Sequence, residues 1–317
     1  MMENVREFLK RFRLLKWGVS RMRAMRDSAK RHIRMYRTMR HPLDANIALY
    51  IRNHGVAPNL EQPSNFNEKV MWLVHNVYCD DPRITRCADK YEMRGYVEEL
   101  GLGHLLPKVY GVWDRPKDVP WDALPARFVV KCNHGCGCNV ICTDRKTLDT
   151  KKARKDLRRW LHINFANYYG EVNYKHIKPR IFCEEYLDDG TGEQPIDWKV
   201  LCFHGEPKLY MVCTERATGV PKFMFTDLHY NRLPVEVGHH AGGTLPPKPA
   251  TLDQMTEYAR LLSKDFPFVR VDFYSVGSKV YLGEMTFSPL GCAIDYINDE
   301  TLLKMGDMLD ISAYKKD

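Results

Sequence analysis

The chain has 317 residues, 44% of them hydrophobic and 28% charged, with a formal net charge of +8. That is the composition of an ordinary globular protein, long enough for one enzyme body of two or three lobes. No run of eighteen apolar residues occurs, so a membrane-spanning helix is excluded, and the charged N-terminus lacks the apolar stretch of a secretory leader, so the ten cysteines are expected as reduced thiols in a cytoplasm.

Charge is uneven along the chain. Residues 1–40 hold 13 Lys/Arg against 3 Asp/Glu, while the remainder carries 35 basic and 37 acidic residues. A near-neutral body argues against a nucleic-acid partner, which needs a basic patch on the folded core. Within the basic segment Phe8, Phe12, Leu15, Val19 and Met22 fall on one helical face, and Trp17 adds an interfacial aromatic. Three destinations suit such a helix: an anionic membrane surface, which would place the protein peripherally at the inner face of the cell membrane, the protein's own body, or an acidic polysaccharide.

Residues 41–106 form a helical region. Asn65 and Glu68 make a capping box ahead of one helix, and Asp89-Lys90-Tyr91 leads another that ends near Gly101. A small lobe is expected over 107–187, with strands at 109–112 and 128–131, a basic helix over 150–170 and a strand at 181–187. A larger lobe over 188–317 has strands at 197–204, 208–215 and 222–226, then an unpatterned stretch at 236–250 that reads as a lid. A helix follows at 251–264, then a hairpin of 269–274 with 279–286, and a last helix from 299. The fold class is α+β, with antiparallel sheets flanked by helices.

Three segments carry chemistry. Phe128-Val129-Val130-Lys131 is a buried strand that delivers a lysine into the loop Cys132-Asn133-His134-Gly135-Cys136-Gly137, whose glycines let backbone N–H groups approach a polyphosphate. In the hairpin, alternation places Arg270, Asp272 and Tyr274 on one face, with Glu284 and Thr286 opposite. Adjacent carboxylates repel and call for a cation, and hard oxygen ligands suit Mg²⁺ bridged to phosphates. Ile181-Phe182-Cys183 runs into Glu184 and Glu185, an apolar strand ending in acids at a hinge.

These segments occur in the order of the ATP-grasp superfamily, and the chain resembles its TupA-like family. The resemblance rests on Phe66-Asn67-Glu68-Lys69, Asp89-Lys90-Tyr91, Val130-Lys131-Cys132-Asn133-His134-Gly135, Glu184-Glu185-Tyr186-Leu187, Asp197-Trp198-Lys199, Arg270-Val271-Asp272 and Gly283-Glu284-Met285-Thr286-Phe287. It implies two α+β lobes clasping ATP. Lys90 and Lys131 would hold the phosphates beneath the loop of His134, Gly135 and Gly137. Glu184, Glu185, Tyr186 and Leu187 would form the adenine hinge, with Asp188 or Glu193 on the ribose. Lys199 would lie near the γ-phosphate, Arg270 would stabilise the tetrahedral intermediate or the acyl phosphate, and Asp272, Glu284 and Thr286 would hold magnesium; apart from the resemblance, Arg216, which follows a strand of the same lobe, is either a grip for a carboxylate or an ordinary exposed arginine. Thr286 stands where many ATP-grasp enzymes have Asn, which leaves one or two Mg²⁺ ions open. The activity implied is a carboxylate–amine ligase working through an acyl phosphate. Its partners would be ATP, a uronic-acid-containing glycan or precursor of a cell-surface polysaccharide, and an amino acid or other amine.

Rival readings explain less. Zinc at Cys132, Cys136, Cys138 and Cys142 lacks the usual C-x₂-C spacing. A catalytic cysteine would need His134 or His204. A glycosyltransferase of surface-polysaccharide synthesis could use Asp80-Asp81 or Asp188-Asp189, but leaves Lys131 and the carboxylate hairpin unexplained. A non-catalytic membrane scaffold would leave that hairpin idle.

Overall fold

The structure, a computed structural model, describes residues 35–190 and 195–315. The apolar stripe from Phe8 to Met22 and the ribose candidate Glu193 lie outside these residues.

Among the described residues, ten strands form two antiparallel sheets. β1 (Val109–Trp113), β2 (Phe128–Cys132), β3 (Asn139–Cys142) and β4 (Ile181–Glu185) make a four-stranded sheet in the order β1-β4-β2-β3. β5 (Asp197–Phe203), β6 (Glu206–Thr214), β7 (Lys222–Thr226), β8 (Arg232–Leu233), β9 (Phe268–Val276) and β10 (Lys279–Thr286) make the second, in the order β10-β9-β5-β6-β7-β8.

Strand alternation decides which side chains are free for chemistry. On β2, Phe128, Val130 and Cys132 enter a small core with Ala153 and Leu157 of the helix Thr150–Leu161, so Lys131 projects from the other face. On the larger sheet, Val200, Cys202, Val271 and Phe273 pack beneath Leu252, Met255, Ala259 and Leu262 of the helix Leu252–Ser263. The opposite face is left to Asp197, Lys199, Arg270, Asp272 and Tyr274.

The helices of the 41–106 region share the larger core. Phe66 is fully buried, edge-on to Phe203 and Phe268. The expected capping box is present: Glu68 N–H donates to Asn65 Oδ1 at 3.0 Å, and Asn65 N–H donates back to Glu68 Oε2 at 3.3 Å. Glu68 also accepts from the backbone of Asn59 and Ser64, Asn67 brackets Ile294 with two backbone hydrogen bonds, and Lys69 Nζ donates to the Gly306 carbonyl. Phe66-Asn67-Glu68-Lys69 is therefore a clamp that fastens the C-terminal segments to the sheet.

Two expectations are corrected. The basic helix stops at Leu161, not 170, where the buried His134 ring meets its last turn and the residues just beyond, with Nε2 at 3.3 Å from Trp160 O and 3.1 Å from Ile163 O; a separate short helix, Ala166–Tyr169, follows. The 236–250 stretch is fastened along its length: Lys222 Nζ donates to the carbonyls of His239 and Ala241, Val237 N–H to Tyr296 O, and Tyr230 Oη to Pro246 O. Those bonds argue against a moving lid there.

Among the described residues, no helix is long and apolar enough to cross a membrane.

Candidate functional site

Three neighbouring strands of the larger sheet place charged side chains in one row. Lys199 of β5 lies opposite Asp272 of β9, and Asp272 lies opposite Glu284 of β10. The second pairing depends on a bulge. Leu282 pairs with Phe273, and the next paired residue is Glu284, so Gly283 is the extra residue. Simple alternation from Val280 and Leu282 would send Glu284 into the apolar core; the bulge turns it to the site and returns Met285 to the core. A Cβ on Gly283 would lie 3.0 Å from the Tyr274 ring and 3.2 Å from the Asp272 carbonyl, so glycine suits the crowding. The hairpin closes through Gly277, whose φ of +60° meets the demand of the tight turn.

The row is bound together by charge. Arg270 grips Asp272 with two bonds of 2.7 Å, and its Nη2 also reaches Glu284 Oε1 at 3.2 Å and Thr286 Oγ1 at 3.1 Å. Lys199 bonds Asp272 Oδ2 and lies 2.9 Å from Asp197 Oδ2. Arg216 donates to Asp197 at 3.1 Å and to Pro195 O, with its guanidinium over the Tyr274 ring. Lys90 Nζ sits 2.8 Å from Glu284 Oε2. Burial opposes the charge of Glu284, but Lys90, Lys199 and Arg270 outweigh it and hold its carboxyl well below the usual range. Burial likewise opposes the ammonium of Lys90, and Glu284 more than restores it.

The smaller sheet contributes Lys131, ion-paired with Glu184 of the neighbouring strand. Its end is tied to the helical region through Asn133, whose carbonyl accepts from Lys90 N–H at 3.1 Å and whose side chain donates to Asp89 at 2.7 Å. That junction sets Lys90 close enough to Lys131 for each to feel the other's charge, and so links the two sheets.

The remaining expected residues divide. Gly135 backs closely onto the Phe165 ring, and Gly137 sits exposed at the loop tip. His134 is 3% exposed and its Nε2 serves the helix end. Glu185 exchanges hydrogen bonds with the Lys108 backbone, while Tyr186 and Leu187 follow the last paired residue of β4. Arg127 covers the Tyr186 ring and pairs with Asp188 at the outer rim. Asp81, weighed for a nucleotide-sugar metal, caps the helix Pro82–Ala88 and pairs with Arg83.

Sequence reasoning gave several members no role. Asp197 and Tyr274 flank the row, and the i, i+2 spacing of Asp197 and Lys199 was a signal that one strand face carries both. Glu171 and Asn173, in the turn before β4, meet Ser288 beyond β10: Ser288 Oγ lies 3.1 Å from Glu171 Oε1 and 3.0 Å from Asn173 Oδ1. Burial pushes Glu171 up to about 7, although Ser288 and the nearby Lys90 pull the other way. Nothing in the sequence marks this trio.

Asp272, Glu284 and Thr286 offer hard oxygen donors on one face, with Thr286 Oγ1 3.4 Å from Glu284 Oε1. Among the described residues no group of three or more His, Cys, Asp or Glu could enclose a metal by itself. Two carboxylates and a hydroxyl on one face suit an ion that draws its other ligands from water and phosphate, as Mg²⁺ does.

Two antiparallel sheets that converge on lysines from one side and an acidic hairpin from the other define an ATP-grasp fold. The chain belongs to the TupA-like ATPgrasp family, whose model matches residues 68–310. None of the curated proteins matches it. Among solved structures, the ATP-grasp ligase PsnB complexed with its minimal precursor is 15% identical, with 74% of this chain covering 62% of that one at a TM-score of 0.38. D-alanine–D-alanine ligase from Bacillus anthracis complexed with ATP is also 15% identical, with coverage of 71% and 63% and a TM-score of 0.40. D-cycloserine synthetase DcsG is 14% identical over 72% of each chain at a TM-score of 0.38. The chain thus spans less than two thirds of the first two.

Proposed function

We propose that the protein is an ATP- and magnesium-dependent carboxylate–amine ligase. The observation that carries this reading is the convergence of Lys90, Lys199 and Arg270 on the carboxylates of the β9–β10 hairpin, with Lys131 of the smaller sheet within the field of Lys90. Each cation is now balanced by a carboxylate. A polyphosphate entering between the sheets offers the lysines new partners, and as they turn to it Glu284 and Asp272 are freed of part of their positive company. Asp272, Glu284 and Thr286 would then hold the magnesium ion, which supplies charge neutralisation on the phosphates.

In this reading Lys90 and Lys131 position the triphosphate, and Tyr186 and Leu187 give the adenine an unpaired backbone edge, with Asp188 toward the ribose. Lys199 and Arg270 stabilise charge on the transferring γ-phosphoryl group. A substrate carboxylate oxygen attacks the γ-phosphorus, ADP leaves, and an acyl phosphate forms. The amine then attacks the acyl carbon, phosphate leaves with its bridging oxygen, and the amide forms with loss of one amine proton. Arg216, at the edge of the row, would grip the carboxylate substrate. The loop 133–138 covers the acyl phosphate against water. The substrates follow from the family resemblance: a uronic acid of a cell-surface polysaccharide or its precursor as carboxylate, and an amino acid as amine.

Nucleotide choice tests the reading. Mg-ATP should raise Tm by several degrees and UDP-sugars should not; stabilisation by UDP-sugars alone would overturn the ligase. Lys131→Met should lower ADP release at least 100-fold while circular dichroism stays unchanged.

A further inference from the structure

We propose that the Glu171 carboxylate, held by Ser288 beside Asn173, is the subsite for the ammonium group of the incoming amine, an assignment that rests on the ligase reading. This trio adjoins the charged row, since Ser288 follows Thr286 by two residues and Glu171 lies within the fields of Lys90 and Glu284.

Charge pairing singles out Glu171. Glu184, Asp197, Asp272 and Glu284 each already hold a lysine or arginine. Glu171, among the described residues, has only the Ser288 hydroxyl, at 3.1 Å. A half-buried carboxylate with no cation in ion-pair contact is costly, and the missing partner is a positive charge. The amine of an amino acid arrives as an ammonium near neutral pH, with a pKa of about 8 for an α-amino group.

The hydrogen bonds around Ser288 point the same way. Asn173 is 1% exposed, and its Nδ2 is buried without an acceptor. The single Ser288 proton cannot serve Glu171 Oε1 and Asn173 Oδ1 together. With the Asn173 amide turned over, Nδ2 donates to Ser288 Oγ and Ser288 donates to Glu171. The orphaned donor is satisfied, and Glu171 becomes an ionised acceptor held in place by a two-member relay. One carboxylate, one hydroxyl and one amide are too few for a hard divalent ion but suit a primary ammonium. Ser288, at 0% exposure, is then a positioning residue that orients the carboxylate.

The test compares wild type, Glu171→Gln and Ser288→Ala by thermal shift in Mg-AMPPNP. Each is titrated with ammonium chloride, ethanolamine, glycine and the L-amino acids, against sodium chloride at matched ionic strength. At least one amine should stabilise wild type. Glu171→Gln should raise its half-maximal concentration at least tenfold, and Ser288→Ala by a smaller factor. If no amine stabilises wild type, or Glu171→Gln and Ser288→Ala respond as wild type does, the subsite is wrong. Loss of the Mg-AMPPNP shift itself in wild type would instead sink the ligase reading.

Discussion

The two sheets hold their charged residues in different ways. In the larger sheet, Lys199, Asp272 and Glu284 occupy consecutive strands, and backbone register fixes them before any side chain bonds another. In the smaller sheet, Lys131 has one carboxylate partner, and the following loop is held by Asn133 and His134 reaching outward to Asp89 and the end of the helix Thr150–Leu161. On the ligase reading, a rigid row would serve a reaction that needs fixed charge, and a loop pinned at a few points would serve closure over a substrate.

The largest effect should come from breaking the row. Asp272 is 1% exposed and carries both Arg270 and Lys199. Asp272→Ala leaves two buried cations short of a partner, which costs about 3–5 kcal/mol where a buried pair is broken. Denaturant unfolding should show that loss, and a variant of wild-type stability would mean the row is not load-sharing.

The carboxylates can also be compared through pH. Glu284 is held low by its cations, whereas Glu171 is raised from 4.5 to about 7 because burial outweighs the pull of Ser288 and of Lys90. A carboxyl with a raised folded-state pKa contributes stability that is complete below about pH 4.5 and is lost as pH climbs to about 7. By linkage the loss is at most about 3 kcal/mol. Glu171→Gln should remove that fall, so the variant gains on wild type between pH 4.5 and 7 and keeps a constant lead above it. Parallel stability curves for the two proteins would contradict the assignment.

Much of this was legible in the sequence where information is local. Asn65 and Glu68 announced a helix start, and the alternation of Arg270, Asp272 and Tyr274 announced a strand with a charged face. The ATP-grasp fold followed from the order of the motifs. What escaped was set by distant contacts. The helix end at Leu161 meets His134, and Glu171 depends on Ser288, 117 residues away. The bulge at Gly283 is a middle case. Val280 and Leu282 put core residues at even positions, Met285 and Phe287 at odd ones, and the change of phase marks an inserted residue.

That bulge gives a way to loosen the row without removing a charge. Gly283→Val must push against the Tyr274 ring and the Asp272 carbonyl. Overpacking of this kind costs roughly 1–3 kcal/mol. It should displace Glu284 relative to Asp272, so ADP release should fall about tenfold more than stability alone explains, and Mg²⁺ dependence should shift to higher concentration. An unaltered Mg²⁺ titration would show that the register tolerates the side chain.

The smallest effect belongs to the loop of the smaller sheet and decides what His134 does there. Its position in Asn133-His134-Gly135 suggested a nucleotide contact, but the ring is buried and its Nε2 faces two helix-end carbonyls. Burial lowers its pKa, so the ring is neutral near pH 7 and Nε2 carries the proton those carbonyls accept. His134→Ala should therefore cost stability, about 1–2 kcal/mol for a buried hydrogen bond with its packing. The KM for ATP should change less than twofold, because no phosphate contact is lost. A tenfold rise in KM with unchanged Tm would put the imidazole on the nucleotide and make the loop, like the row opposite, part of the charge-handling machinery.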